Sequence, residues 1–189
     1  WFTGGSITDL VSAYNQFSGG GCLPPLWGLG VLYRCFTRFN SQQALNGARY
    51  IRKSQVPCSV FGLEPGWQTH SYSCSYVWDK DRFGDHEQML QELRDMHYEV
   101  NLWEHAFVHP SSPLHSQLAD KSGDYEVWQG LVPDFSLPQA RKAFADYHRE
   151  ELIEKGISGF KLDECDGSDY TGGWTFPDCS VFPSGLDGE

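Results

Sequence analysis

The sequence predicts an α/β fold, a partial (β/α)8 TIM barrel made of the first four strand–helix units. Strand-like and helical segments alternate four times along the 189 residues, and the helix-to-strand links are short, with Gly156 alone forming the last one. Such alternation favours a parallel sheet with right-handed crossovers, which a doubly wound sheet would also satisfy. The strand-to-helix loops are long and rich in polar and aromatic residues, as on the active face of a barrel, so the barrel is favoured.

Residues 1–21 are expected to form a lead-in helix and a linker from a preceding domain. Ser6 is a suitable N-cap for a helix whose apolar residues recur at helical spacing: Leu10, Val11, Tyr14 and Phe17. A stretch rich in glycine and proline follows at 19–25. Residues 22–189 are then the N-terminal half of a truncated barrel, because eight units need roughly 250 residues and neither chain end resembles a natural terminus.

The remaining elements follow from the switch between alternating and helical apolar patterns. Strands are predicted at 29–36, 56–64, 98–104 and 157–163, and helices at 41–54, 85–97 and 136 to about 155. Asp85 with Gln88, and Ser136 with Gln139, are spaced as capping pairs at the starts of the last two helices. The long segments 65–84 and 105–135 are predicted as loops.

Composition excludes several function classes. Aromatic residues make up 15% of the chain and the formal net charge is −11, which argues against both disorder and nucleic-acid binding. No apolar run approaches the roughly 20 residues that span a bilayer, so no membrane segment is predicted. The chain has no phosphate-binding loop, nucleophile elbow or zinc-protease motif, and its dispersed histidines predict neither a metal nor an organic cofactor.

Six cysteines are present, and none is spaced as a zinc ligand pair. Cys35 and Cys58 lie in apolar strand-like runs, where buried free thiols are expected, with disulfides as the alternative. Cys74 and Cys165 lie in loops after strands and are candidates to line a pocket.

Acidic residues end three of the predicted strands: Glu64, Glu104 and Asp163. Because the carboxyl ends of parallel strands meet at one edge, these acids are expected to converge on one pocket. Each acid alone would more simply be solvated or salt-bridged, and the aromatic residues alone would more simply be core. Together, acids and rings indicate sugar recognition. The rings are Trp67, Trp78, Trp103 and Trp174.

Asp163 is the strongest candidate nucleophile. Side chains alternate along a strand, so Lys161 lies on the same side, and a nearby ammonium favours the ionised carboxylate. A carboxylate that attacks an anomeric carbon must stay charged at working pH. The alternative for Lys161 is a barrel-interior ion pair with no catalytic part.

Four segments together resemble glycoside hydrolase family 31, whose members are retaining α-glycosidases on a (β/α)8 barrel. They are Phe160-Lys-Leu-Asp-Glu164, the run from Val127 to Arg141, Val77-Trp-Asp-Lys-Asp-Arg-Phe83 and Leu23-Pro-Pro-Leu-Trp-Gly-Leu-Gly30. The resemblance implies that Asp163 forms a covalent glycosyl intermediate and that Lys161 contacts the substrate. It also aligns Trp103 with the tryptophan that ends the family's third strand.

Two departures from the family pattern concern the substrate. Glu64 stands where many members have aspartates, and Glu104 stands where an aliphatic residue is usual. These changes favour an α-galactoside over an α-glucoside or α-xyloside. Further substrate contacts are expected from the pocket residues Glu64, Trp67, Trp103, Glu104, Cys165 and Trp174.

The family's acid/base residue would lie beyond Glu189, so the isolated segment is expected to be inactive and to need the remainder of its catalytic domain. The expected partner is a carbohydrate substrate. Two alternatives stay open. One is a non-catalytic carbohydrate-binding or scaffold protein on the same half-barrel. The other is a related α-galactosidase family with the same K-x-D nucleophile strand.

Overall fold

A computed structural model describes residues 1–164 and 182–185. Its strands are β1 (Val31–Arg34), β2 (Cys58–Leu63), β3 (Glu99–Glu104), β4 (Ser122–Val127), β5 (Gly130–Pro133) and β6 (Gly159–Leu162). Its helices are α1 (Ile7–Phe17), α2 (Ser41–Lys53), α3 (Lys80–Phe83), α4 (His86–Asp95), α5 (His115–Leu118) and α6 (Pro138–His148). No helix in this part of the chain is long and apolar enough to cross a bilayer.

Four strands form one parallel sheet in the order β1-β2-β3-β6. Each strand pairs with the next parallel strand along the chain, so the order never reverses. A doubly wound sheet would reverse its order at a switch point. The predicted parallel α/β arrangement is confirmed, and its strand order is that of a barrel wall.

The helices α2, α4 and α6 cover the outer face of this sheet. Phe61 packs edge-on against Tyr98 with ring centroids 5.7 Å apart, and the Tyr98 hydroxyl donates to the Ala48 carbonyl of α2 at 3.0 Å. On β6 the ring of Phe160 lies 5.4 Å from that of His148 at the end of α6. Cys35 and Cys58 are buried free thiols, as predicted.

The residues that cap the helix N-termini agree less well with the predictions made from the sequence. Asn40 and Gln43 form a reciprocal capping box at α2. At α4, by contrast, Asp85 makes no side-chain capping hydrogen bond, so the predicted pair with Gln88 is wrong.

The predicted capping box at the last helix is also wrong. Ser136 turns its hydroxyl to the Asp134 carboxylate at 2.5 Å, and Leu137 is the N-cap, with Pro138 in the first turn. The helix predicted to run to about residue 155 changes at Arg149–Ile153 into a π-helical turn.

The loop predicted at 105–135 contains secondary structure that the sequence did not reveal. It includes α5 and an antiparallel hairpin of β4 and β5. Trp128 and Gln129 form the hairpin turn with φ angles of 48° and 61°. A two-residue turn of this kind needs positive φ at both positions, and it usually has Asn or Gly there. The missing turn residues explain why the hairpin was overlooked.

The helix predicted after Ser6 is confirmed: α1 begins there, and the Ser6 hydroxyl accepts from the backbone N–H of Asp9. None of its residues is buried.

Candidate active site

At the carboxyl ends of the strands, different residues lie on the two faces of the sheet. The outer face packs against the helices, and the inner face is the opposite one. Trp103 of β3 pairs with Lys161 of β6, and Glu104 pairs with Leu162. Because side chains alternate, Trp103, Lys161 and Asp163 share the inner face, whereas Glu104 lies on the outer face with the helices.

Asp163 follows β6 directly and is held at its two oxygens. Trp103 Nε1 donates to Oδ2 at 2.8 Å, and Lys161 Nζ lies 3.0 Å from the same oxygen. The backbone N–H of Glu164 donates to Oδ1 at 3.2 Å. Partial burial would raise the pKa of this carboxyl, but the donors from Trp103 and Lys161 outweigh it and lower the pKa. Asp163 is therefore a charged carboxylate with 36% of its side chain exposed.

Lys161 lies on the same side of β6 as Asp163, as predicted from the alternation, and its side chain is 41% exposed. The ammonium forms an ion pair with Asp163 and still presents surface to solvent. This position is compatible with both earlier interpretations of Lys161, the substrate contact and the interior ion pair.

Glu64 lies on the inner face, in contact with an arginine from the neighbouring strand β1. Its carboxylate is bonded by Arg34 Nε of β1, and Arg34 also donates to the side-chain oxygen of Asn101 in β3 at 2.6 Å. The arginine crosses Gly62, where a side chain would collide with it. Arg34 was not singled out from the sequence, because its partners Glu64 and Asn101 lie 30 and 67 residues further along the chain.

Glu104 requires a correction. Its side chain is 1% exposed, and Oε2 lies 3.2 Å from Nε2 of His148 on α6, whose side chain is 6% exposed. The other nitrogen of this imidazole lies 2.8 Å from the Phe144 carbonyl. The expectation that three acids converge on one pocket is therefore wrong for Glu104, because one residue of offset along β3 turns its side chain to the helices.

Trp67 is also corrected, since it has no exposed surface to offer a sugar. Its indole N–H donates to the Trp103 carbonyl at 2.8 Å, and its ring meets Trp78 edge-on at 5.0 Å. Trp67 supports the strand end that carries Trp103. Trp103 itself is 1% exposed and reaches the site through its N–H group. Cys165 and Trp174 lie outside the described residues.

Tyr72, in the loop after β2, is a site residue that the sequence analysis missed. Its hydroxyl donates to Glu164 Oε1 at 2.9 Å, and its ring lies 5.2 Å from that of Trp103. The predicted aromatic character of segment 65–84 was the available signal, but nothing in the sequence separated this ring from its neighbours.

His105, beside Trp103, is fully buried among aromatic rings. Burial lowers its pKa to about 4, so it is neutral at ordinary pH. Across residues 1–164 and 182–185, no cluster of three or more His, Cys, Asp or Glu side chains could hold a metal ion.

Comparison with known families gives a consistent result. The family model described as the glycosyl hydrolases family 31 TIM-barrel domain matches residues 21–182. The α-xylosidase XylQ of Lactiplantibacillus pentosus is 29% identical over 170 residues, covering 82% of this chain and 22% of that protein. The myogenesis-regulating glycosidase of Mus musculus is 24% identical over 152 residues, covering 74% of this chain and 21% of that protein. The chain thus spans about a fifth of the length of these relatives.

Solved structures with the same fold include carbohydrate-active enzymes. A family 31 α-xylosidase from Xanthomonas citri has a TM-score of 0.76 at 18% identity, covering 88% of this chain and 20% of that chain. A cycloalternan-forming enzyme from Listeria monocytogenes also has a TM-score of 0.76, at 19% identity, covering 98% of this chain and 20% of that chain. With the family model, these matches confirm the predicted partial (β/α)8 barrel.

Proposed function

The chain belongs to glycosyl hydrolase family 31, and from that premise we propose that the full-length protein cleaves terminal α-glycosidic bonds with net retention of configuration. Asp163 is the proposed nucleophile. The observation that carries the proposal is the environment of this residue. Its carboxylate lies at the carboxyl-terminal edge of the sheet, is kept charged by Trp103 and Lys161, and is partly open to solvent.

In the first step, an Asp163 oxygen bonds to the anomeric carbon while the bond from that carbon to the leaving oxygen breaks. A second carboxylic acid, supplied from outside the described residues, gives its proton to the leaving oxygen. Water then attacks the anomeric carbon, loses a proton to the same group and releases Asp163. The two donors at Oδ2 hold the carboxylate in one orientation through both steps.

Substrate contacts are proposed for the other inner-face residues. Lys161 is placed to donate to a sugar hydroxyl, and Glu64, fixed by Arg34, to accept from one. Glu104 and Trp67 are buried and are proposed as supports of the strand ends. Cys165 and Trp174 remain predicted contacts.

The preferred sugar is the finer part of the proposal. The preference for α-galactosides rests on the acids at positions 64 and 104. Glu64 supports it, because this residue lies on the inner face with Arg34. The two curated proteins named α-xylosidase, at 29% and 26% identity, do not support it. The matching family 36 α-galactosidase from Geobacillus stearothermophilus has 17% identity over 70% of this chain and shows the fold alone.

A panel of p-nitrophenyl α-glycosides tests the proposal in the full-length protein. We expect turnover of at least one α-glycoside, fastest with the galactoside, and a loss of at least about ten-thousand-fold in Asp163→Ala. The melting temperature of the variant should fall only slightly, because Asp163 is partly exposed and the Trp103 N–H is the buried group that loses its partner. Near-wild-type turnover in Asp163→Ala would refute the assignment. Sugar binding without any turnover by the wild type would favour the non-catalytic carbohydrate-binding alternative.

A further inference from the structure

The ring of Tyr72 forms the exposed layer of an aromatic cluster beside Asp163. The cluster joins three separate segments: the loop after β2, the end of β3 and the β4–β5 turn. The Tyr72 ring lies 5.2 Å from Trp103, 5.7 Å from His105 and 5.0 Å from Trp128, measured between centroids. Three rings therefore pack against Tyr72, two of them tilted and that of Trp128 edge-on.

Exposure separates Tyr72 from two of the neighbouring rings, Trp103 and His105. Trp103 is 1% exposed and His105 is fully buried, whereas Tyr72 is 43% exposed. Nearly half of the surface of Tyr72 thus faces solvent at the carboxyl-terminal edge of the sheet. A rigid ring that rests on other rings loses little conformational freedom when a ligand packs on its open side.

The hydroxyl of Tyr72 fixes the direction of this ring. It donates to Glu164 Oε1 at 2.9 Å, and Glu164 directly follows Asp163. Burial and this hydrogen bond to the carboxylate raise the pKa of Tyr72, so the phenol stays protonated and continues to donate. The loop after β2 is therefore tied to the residue next to the nucleophile.

We propose that Tyr72 is a substrate-contacting residue whose exposed ring binds the apolar C–H face of the pyranose held at Asp163. This inference rests on the proposed function and deepens it by identifying a residue that selects among sugars. A pyranose carries hydroxyls at its edges and C–H groups on its faces, so an aromatic ring and the nearby polar groups recognise different parts of one sugar. Stacking on the ring is apolar and favours sugars with an unobstructed C–H face.

The contact is expected to bind substrate and transition state alike, since the ring touches the sugar face away from the breaking bond. Loss of such uniform binding raises KM and leaves kcat nearly unchanged. A purely structural role in holding the cluster would instead disturb Trp103 and, through it, Asp163, which would lower kcat.

The test compares Tyr72→Leu with Tyr72→Phe in the full-length protein. Leucine keeps apolar bulk against Trp103 and Trp128 but has no aromatic face, and phenylalanine keeps the face but loses the hydroxyl. Each is combined with Asp163→Ala, and the Kd values of methyl α-galactoside, methyl α-xyloside and methyl α-glucoside are measured by calorimetry. Tyr50→Leu is the matched control, because Tyr50 is 72% exposed on α2, on the outer face.

We expect Tyr72→Leu to weaken binding of the preferred methyl glycoside about tenfold, with Tyr72→Phe within about threefold of the parent and Tyr50→Leu unchanged. KM of the Tyr72→Leu enzyme with intact Asp163 should rise by the same factor at nearly constant kcat. Equal Kd and KM values in Tyr72→Leu and the parent would overturn the inference. Equal weakening in the Leu and Phe variants would also overturn it, since the hydroxyl would then carry the effect.

These outcomes are separable from failure of the proposed function. If the wild type turns over a glycoside and Asp163→Ala does not, while the Tyr72 variants bind normally, only the role of Tyr72 is lost. If the wild type turns over no glycoside in the panel and binds none, both proposals fail together.

Discussion

Asp163 and Glu104 end neighbouring strands of one sheet, yet they occupy opposite environments. Asp163 lies on the inner face with two donors at one oxygen and about a third of its side chain exposed. Glu104 lies on the outer face, almost fully buried against His148 of α6. The backbone joins them, since the Asp163 N–H donates to the Glu104 carbonyl at 2.8 Å. Glu104 pairs with Leu162, the residue before Asp163, and this offset of one residue places the two acids on opposite faces of the sheet.

This difference shows what each environment does to a carboxylate. Donors at the open rim keep Asp163 charged and leave it accessible, which suits a nucleophile. The Glu104 carboxylate instead lies 3.2 Å from the buried imidazole of His148, and this contact links β3 to α6. An acid at a strand end is therefore a functional candidate only when its side chain points to the pocket.

The largest contrast is expected from alanine at the two positions. Asp163→Ala should abolish turnover with only a small loss of stability, whereas Glu104→Ala leaves His148 without its buried partner and should cost about 3 kcal/mol of stability. Thermal unfolding and kcat per folded molecule measure the two effects. Glu126→Ala, on the exposed side of β4, is the stability control. If Glu104→Ala destroyed turnover without loss of stability, Glu104 would belong to the pocket after all.

A smaller effect is expected from Lys161→Met. Removal of the ammonium raises the pKa of Asp163, and the reactive form is the carboxylate, so the acidic limb of kcat/KM moves to higher pH. Trp103 still donates to Oδ2, and solvent screens the exposed pair, so kcat/KM at the optimum should fall only about tenfold. Lys142→Met, on the exposed side of α6, should leave the profile unchanged. An acidic limb that stayed in place in Lys161→Met would show that Lys161 does not act on Asp163.

The smallest functional effect is expected from Trp67→Phe. The substitution removes the hydrogen bond to the Trp103 carbonyl and leaves a small cavity, which should lower stability by about 1–2 kcal/mol. KM should stay within about twofold of the wild type, because the ring does not reach the pocket. A large rise in KM at unchanged melting temperature would restore the original prediction that Trp67 contacts substrate.

The sequence predicted the fold and the placement of Lys161 beside Asp163, because both depend on local patterns. Alternating apolar runs and short helix-to-strand links indicated the parallel sheet, and period two along β6 placed Lys161 beside Asp163. The prediction that Glu104 joins the other acids in one pocket was wrong. The face on which Glu104 lies relative to Asp163 depends on how β3 pairs with β6, and this pairing is a long-range property.

Tyr72 and Arg34 were missed for a related reason. Their roles depend on contacts across 92 residues in one case and 30 in the other, which no local spacing encodes. The capping pairs at Asp85 and Ser136 failed because nearby polar groups compete for the same side chains, as Asp134 does for Ser136.

Covalent trapping tests the central claim most directly. The full-length protein would be incubated with a 5-fluoro-α-glycosyl fluoride of the sugar preferred in the panel, digested and analysed by tandem mass spectrometry. The account predicts one glycosyl group, attached to the peptide that contains Asp163 and located on that residue, and no label in Asp163→Ala. A label on another carboxylate, or time-dependent inactivation without any label at Asp163, would contradict it.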